Sequence, residues 1–174
     1  MPPLLYLHLL TLALCMGLLL FAAAGDIKSY RIPNAISIGL VALYPFFVLT
    51  APYPVAFLSS LLVAGVALAL GLAAYGTGRV GGGDIKLLSA TMLFAGPGLA
   101  LEFVLITALT GGLVSLMLLH RPMRHGLAFA LDHIGSRTLR DALLTEAIPY
   151  GVAIAAGGFY VTLRLVGLAA DAAP

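Results

Sequence analysis

Gly81-Gly82-Gly83-Asp84-Ile85-Lys86 sets a carboxylate behind three glycines in the middle of an extremely apolar chain. Three consecutive residues without side chains free the backbone to turn sharply and let another chain approach it closely. Past Asp84, the residues Ile85, Leu87, Leu88, Ala90, Met92, Leu93 and Phe94 continue as a membrane helix, which puts the acid at that helix's N-terminal mouth. Irregular backbone at membrane depth is tolerated only where protein or water surrounds it, so Asp84 is expected to face a wet, protein-lined space.

The whole composition follows the same pattern. Of 174 residues, 61% are hydrophobic and 9% charged, and the mean hydropathy is +1.10. These values exclude a soluble globular domain and predict an all-α, polytopic integral membrane protein whose first partner is the lipid bilayer. Cys15 is the single cysteine, so one chain can build neither a disulfide nor a cysteine-based zinc site. The formal charge of +2 is too small to mark a partner, and no nucleic acid is expected.

Six apolar runs are legible, at about 4–24, 35–50, 55–75, 85–95, 99–119 and 147–168, and they predict six transmembrane helices in a single domain, 1–174. Ala22-Ala23-Ala24 resembles a cleavage site, but no Lys or Arg precedes the first run, which favours a spanning helix over a signal peptide. His8 within it reads as a packing residue. Asp26, Lys28, Tyr30 and Arg31 form a polar connection that Pro33 ends, with Asn34 placed to cap the next helix. Gly96-Pro97-Gly98 ends the fourth run. Between the last two runs, 120–146 holds most of the remaining charge, with Leu127, Ala130, Leu131 and Ile134 at helical spacing; a cytoplasmic amphipathic segment on the membrane surface is expected there.

The basic residues set the expected topology. Lys28, Arg31, Arg79, Lys86, Arg121, Arg124, Arg137 and Arg140 follow the odd-numbered runs, and no Lys or Arg follows the second or fourth. By the positive-inside rule the odd connections are cytoplasmic and both chain ends lie outside. Asp26 and Asp84 therefore fall on one face at similar depth. Lys86 and Arg164 read as side chains that snorkel toward the headgroups.

An acid at a membrane boundary is costly to ionise and points to function. Two acids on one face can share a proton and activate water, as in aspartic proteases, or bind the coupling ion of a small proton- or cation-coupled transporter. Asp26 follows a helix C-terminus and Asp84 begins a helix, so the helix dipoles predict that the shared proton rests mainly on Asp26.

Asp26 with Ile32-Pro33-Asn34 downstream, together with Gly81-Gly82-Gly83-Asp84-Ile85-Lys86, resembles the two-motif signature of the type IV prepilin peptidases, of the Gly-x-Gly-Asp class of membrane aspartic proteases. Ile148-Pro149-Tyr150-Gly151 resembles the start of that family's last helix. The resemblance implies catalytic roles for Asp26 and Asp84 and supporting roles for Gly81, Gly82, Gly83, Lys86, Pro33, Asn34 and Pro149. It implies no cofactor and no metal. It further implies cleavage of the short basic leader of prepilin or pilin-like substrates at the cytoplasmic face of the bacterial inner membrane. Large members carry paired Cys-x-x-Cys motifs and also N-methylate the new terminus; this sequence has no such pair and resembles the short peptidases of Flp/Tad pilus systems, for which a methyltransferase activity is not implied. Nothing in the sequence marks an oligomeric state.

Overall fold

Leucine, alanine and valine dominate every long segment, and in hydrocarbon such a segment must satisfy its own backbone N–H and C=O groups, which a helix does unaided. The computed structural model describes residues 3–78, 80–120, 126, 129 and 149–172, and among these there is no β-strand. Five helices follow in order: α1 (Pro3–Ser29), α2 (Asn34–Thr50), α3 (Phe57–Tyr75), α4 (Gly82–Leu119) and α5 (Tyr150–Asp171). All but α2 are long and apolar enough to cross a membrane; α2 is a shorter apolar helix of 17 residues. The expected surface segment over 120–146 lies outside the described residues, apart from His120, Gly126 and Phe129, as does Arg79.

The fourth and fifth apolar runs follow one another directly as the two arms of α4, two helical stretches parted at Gly96, whose φ of 54° and ψ of −170° are not helical. A straight helix of 38 residues would extend about 57 Å, nearly twice the ~30 Å hydrocarbon core. The contacts show how the length is folded. Gly83 and Gly151 both abut Ile32, and Thr91 abuts Gly158, so the first arm of α4 runs alongside α5 in the same direction. In the second arm Gly111 meets Tyr150 and Ala153, whereas Phe103 and Thr107 meet Gly157. The second arm therefore runs back along α5, and Gly96 is the point of reversal. Only glycine takes that left-handed φ without strain, and a Cβ there would also lie 2.8 Å from Ser60 Oγ.

α4 is thus the hub of the bundle: α3 lies along its first arm, α5 along both arms, and α2 against its first arm, with α1 filling the space between α2 and α5. Leu12, Leu19, Leu40, Phe47, Leu87 and Phe103 are fully enclosed at these seams. The outward faces carry Phe21, Ile38, Leu49, Leu70, Leu101 and Leu109, all exposed. In water such a surface would drive association; in lipid it is the solvated face.

Two expected boundaries shift. α1 does not stop at Ala24 but continues through Asp26 and Lys28 to Ser29, because the N–H of Tyr30 still reaches the carbonyl of Asp26 at 2.8 Å. Tyr30 then takes φ 50°, the left-handed stop that glycine more often supplies. At the head of α2 the N-cap is Pro33, whose carbonyl accepts the N–H of Ile36 at 3.0 Å. Asn34 makes no cap and is the first helical residue. Arg164, expected to snorkel outward, is half exposed and donates to Glu102 Oε2 at 3.2 Å and to the Tyr160 hydroxyl at 2.7 Å, while that hydroxyl donates to Glu102.

Candidate active site

Three helix ends meet at one end of the bundle. The last turns of α1 hold Asp26, only 5% exposed. A carboxylate enclosed to that degree requires a donor. It comes from α5, which starts after Pro149 at its N-cap; the first-turn N–H groups there lack intrahelical acceptors. The N–H of Gly151 donates to Asp26 Oδ2 at 2.6 Å. No residue with a side chain would come so near, since a Cβ on Gly151 would lie 2.8 Å from that oxygen and 2.9 Å from Ile32 Cδ1. A short bond from a backbone N–H at a helix N-terminus is among the stronger ways to hold a negative oxygen.

The head of α4 supplies the second acid. Gly81 is the N-cap, extended at ψ 136°, and Asp84 lies in the first turn. Asp84 Oδ2 folds back over the turn, so a Cβ on Gly81 would lie 2.7 Å from it. Gly82 lies against the Tyr75 ring at 3.5 Å, and Gly83 against Ile32 at 3.3 Å. Ile32 is therefore a wedge shared by the glycine turn and the head of α5. Gly83, beside Asp84, and Gly151, which binds Asp26, both abut Ile32, so the two carboxyl groups lie at the same end of the bundle.

Of the residues singled out in the sequence, Asp26, Asp84, Gly81 and Gly83 converge, and Pro149 contributes by setting the start of α5. Gly82 serves the packing of α4 on α3. Pro33 stands behind α1 at the head of α2. Lys86 does not snorkel freely: its Nζ donates to Asn34 Oδ1 at 3.0 Å and ties α4 to α2. Two residues along a helix is about 200° around it, so this pair faces away from Asp84. Among the described residues no three His, Cys, Asp or Glu side chains form a group that could hold a metal ion.

Two contributors escaped the sequence reading. Gly151 was visible only as part of Ile148-Pro149-Tyr150-Gly151, and Ile32 only as part of Ile32-Pro33-Asn34; a backbone donor and an apolar wedge leave no chemical signal of their own. The Gly151 bond is also a contribution that the expectation for the proton left out. The helix-dipole expectation counted the C-terminus of α1 beside Asp26 but not the N-terminus of α5, which abuts it and favours negative charge there.

Five apolar helices, four of them long enough to cross a membrane, with two carboxyl groups brought to one end of the bundle define a membrane protein with a two-acid site. The model of the type IV leader peptidase family matches residues 13–116. The chain belongs to that family. The matched span includes both acids, the three glycines, Pro33, Asn34 and Lys86, but not α5 with its Gly151 donor. No curated protein and no solved structure matches the chain.

Proposed function

We propose that the protein is an aspartic endopeptidase that removes the short basic leader of Flp-like prepilins at the cytoplasmic face of the inner membrane. The observation that carries this reading is the Gly151 N–H holding Asp26 at the end of the bundle where Asp84 sits at the glycine head of α4, in a chain of the leader peptidase family. Six membrane segments are counted in one unit, 1–174, the two arms of α4 each taken as one crossing and α2 as a short one. Both chain ends then lie outside, and the acids at the edge that bears Lys28, Arg31 and Lys86.

In the reaction, Asp26 is the ionised member and Asp84 carries the proton. A water between them loses a proton to Asp26 as its oxygen attacks the scissile carbonyl, and Asp84 gives its proton to the developing oxyanion. The gem-diol intermediate collapses as the C–N bond breaks: Asp26 passes its proton to the leaving amine, and Asp84 takes back a hydroxyl proton as the new carboxyl group forms. The missing side chains of Gly81 to Gly83 let Asp84, Tyr75 and Ile32 close against the head of α4, which sets the acid's place in the site.

Co-expression with a tagged prepilin, read by gel shift, tests the assignment. Asp26→Ala and Asp84→Ala should each lower processing about a thousandfold or more while the protein still accumulates in the membrane. A wild type that leaves the prepilins of its own genome uncut would turn attention to ion flux through the same acids. Infrared spectra of the Asn variants locate the proton: the carboxyl band should vanish in Asp84→Asn and persist in Asp26→Asn, and the opposite pattern would move the proton to Asp26.

A further inference from the structure

The geometry points to a lipid-facing groove between α2, α3 and the first arm of α4 as the seat of the substrate's apolar helix, an inference that rests on the peptidase reading above. The groove has a volume of about 560 Å³ and is lined at three successive levels by Asn34 and Lys86, by Ser37 and Ser89, and by Val41 and Leu61. It begins beside the head of α4 and descends into the hydrocarbon, parallel to the helices that form it.

Three features favour a helix over a lipid chain. Its α3 wall includes Ala64 and Gly65, and small residues let a second helix backbone come close, which is how helices associate in lipid. Ser37 and Ser89 line the wall, and the buried hydroxyl of Ser89 has no hydrogen-bond partner among the described residues. Thr91 in the same helix shows the usual alternative, its hydroxyl bonded to the carbonyl of Leu87 at 2.8 Å. Once its side chain turns toward the groove, a polar group on an incoming helix would give Ser89 what the fold withholds; an acyl chain would not. Charge fixes the direction of entry. Lys86 stands at the mouth, so a basic leader is turned away from the groove and toward Asp26 and Asp84, while the apolar segment after it goes in. Between mouth and acids the chain has to pass the head of α4, where Asp84, Tyr75 and Ile32 lie against the three glycines.

A second groove between α1 and the head of α2, about 460 Å³, is lined by Leu18, Phe21 and Lys28 among others but by no hydroxyl. It is the natural comparison site.

The fold offers matched probes. A Cβ added at Gly65 or at Gly112 meets nothing within 4 Å, but only Gly65 lines the groove. Gly65→Leu should reduce cleavage of a tagged prepilin about tenfold, by occupying the space its helix needs, and Gly112→Leu should not. Equal cleavage by the two variants would overturn the proposal. Because that comparison needs an active wild type, a photo-crosslinking residue at Val41 or Leu61 in the full-length Asp84→Asn protein reports occupancy without cleavage. Capture of the prepilin from these positions, and not from Phe21, supports the groove whether or not the wild type cuts. Capture only from Phe21, or of lipid alone from Val41 and Leu61, would overturn it while leaving the cleavage assay to judge the peptidase reading.

Discussion

His8 and Asp26 are two titratable side chains buried in the same helix, 0% and 5% exposed, about 27 Å apart along its axis. Their surroundings differ in kind. Thr50 spends its own hydrogen on the carbonyl of Phe46 at 2.7 Å, so its oxygen accepts from His8 Nδ1 at 3.2 Å, which leaves Nε2 to accept from the Tyr53 hydroxyl, also at 3.2 Å. That fixes one neutral tautomer with both ring nitrogens satisfied. Burial pushes the Tyr53 phenol up to about 12, so it remains a donor at any physiological pH. The ring is further enclosed by Phe47 and Tyr53, with centroids at 5.2 and 5.5 Å. Asp26 instead has one oxygen held by a backbone N–H and a second acid nearby. A polar group whose every bond is closed within the fold serves structure; one held from a single side keeps capacity for a reactant.

The sharpest way to break this comparison, short of removing an acid, is Gly151→Ala. The added Cβ would lie 2.8 Å from Asp26 Oδ2 and 3.0 Å from Asp26 Cβ, so the acid has to move. A displacement of about 1 Å costs on the order of a hundredfold in rate, and kcat for prepilin cleavage should fall by that order with the protein still folded. Gly157→Ala, one and a half turns further along α5, is the control: its Cβ would meet Thr107 Oγ1 and, at 3.0 Å, the carbonyl of Phe103. There the expected loss is about 1–3 kcal/mol of stability, because the contact is between helices and not with an acid. If both variants lost only stability, Gly151 would be a packing residue like its neighbour.

His8→Ala probes the other end. It leaves the half-buried Tyr53 hydroxyl without its acceptor and opens a cavity against Phe47, and should cost about 2–3 kcal/mol in a detergent unfolding assay while kcat stays within about twofold of wild type. A kcat that fell with His8 would mean that the two ends are not independent and that the contrast between them is false.

The sequence made the acids, the glycines and the apolar helices legible because each carries a chemical signature: charge in an apolar run, missing side chains, hydropathy over about twenty residues. It even placed Asp26 and Asp84 on a common face, since the count of runs between them fixes their parity. What stayed hidden is geometry that local pattern does not encode. Asp26 looked like a loop residue because Gly25 and the charges after it interrupt the apolar run, yet backbone hydrogen bonds carry α1 on to Ser29. The Lys86 to Asn34 bond spans residues far apart in sequence and could not be told from snorkelling. Gly151 acts through its backbone, which every residue but proline shares.

The smallest effect expected is at Gly96, where the pattern Gly-Pro-Gly announced a break but not a reversal. Alanine there must take φ 54° and place its Cβ 2.8 Å from Ser60 Oγ. The left-handed conformation costs a non-glycine residue about 1–2 kcal/mol, and Ser60, whose N–H is already tied to the carbonyl of Ala56 at 2.9 Å, has only a rotation of its side chain with which to yield. Gly96→Ala should therefore lower stability by about 1–2 kcal/mol through the backbone and by a further amount through the contact, and Gly96→Ala with Ser60→Ala should recover only the latter. Gly96 lies a full arm of α4 from Asp84, so cleavage per folded molecule should not change. If cleavage fell while stability held, the reversal at Gly96 would be setting the position of the first arm at the acids, and the two ends of the bundle would be coupled through α4.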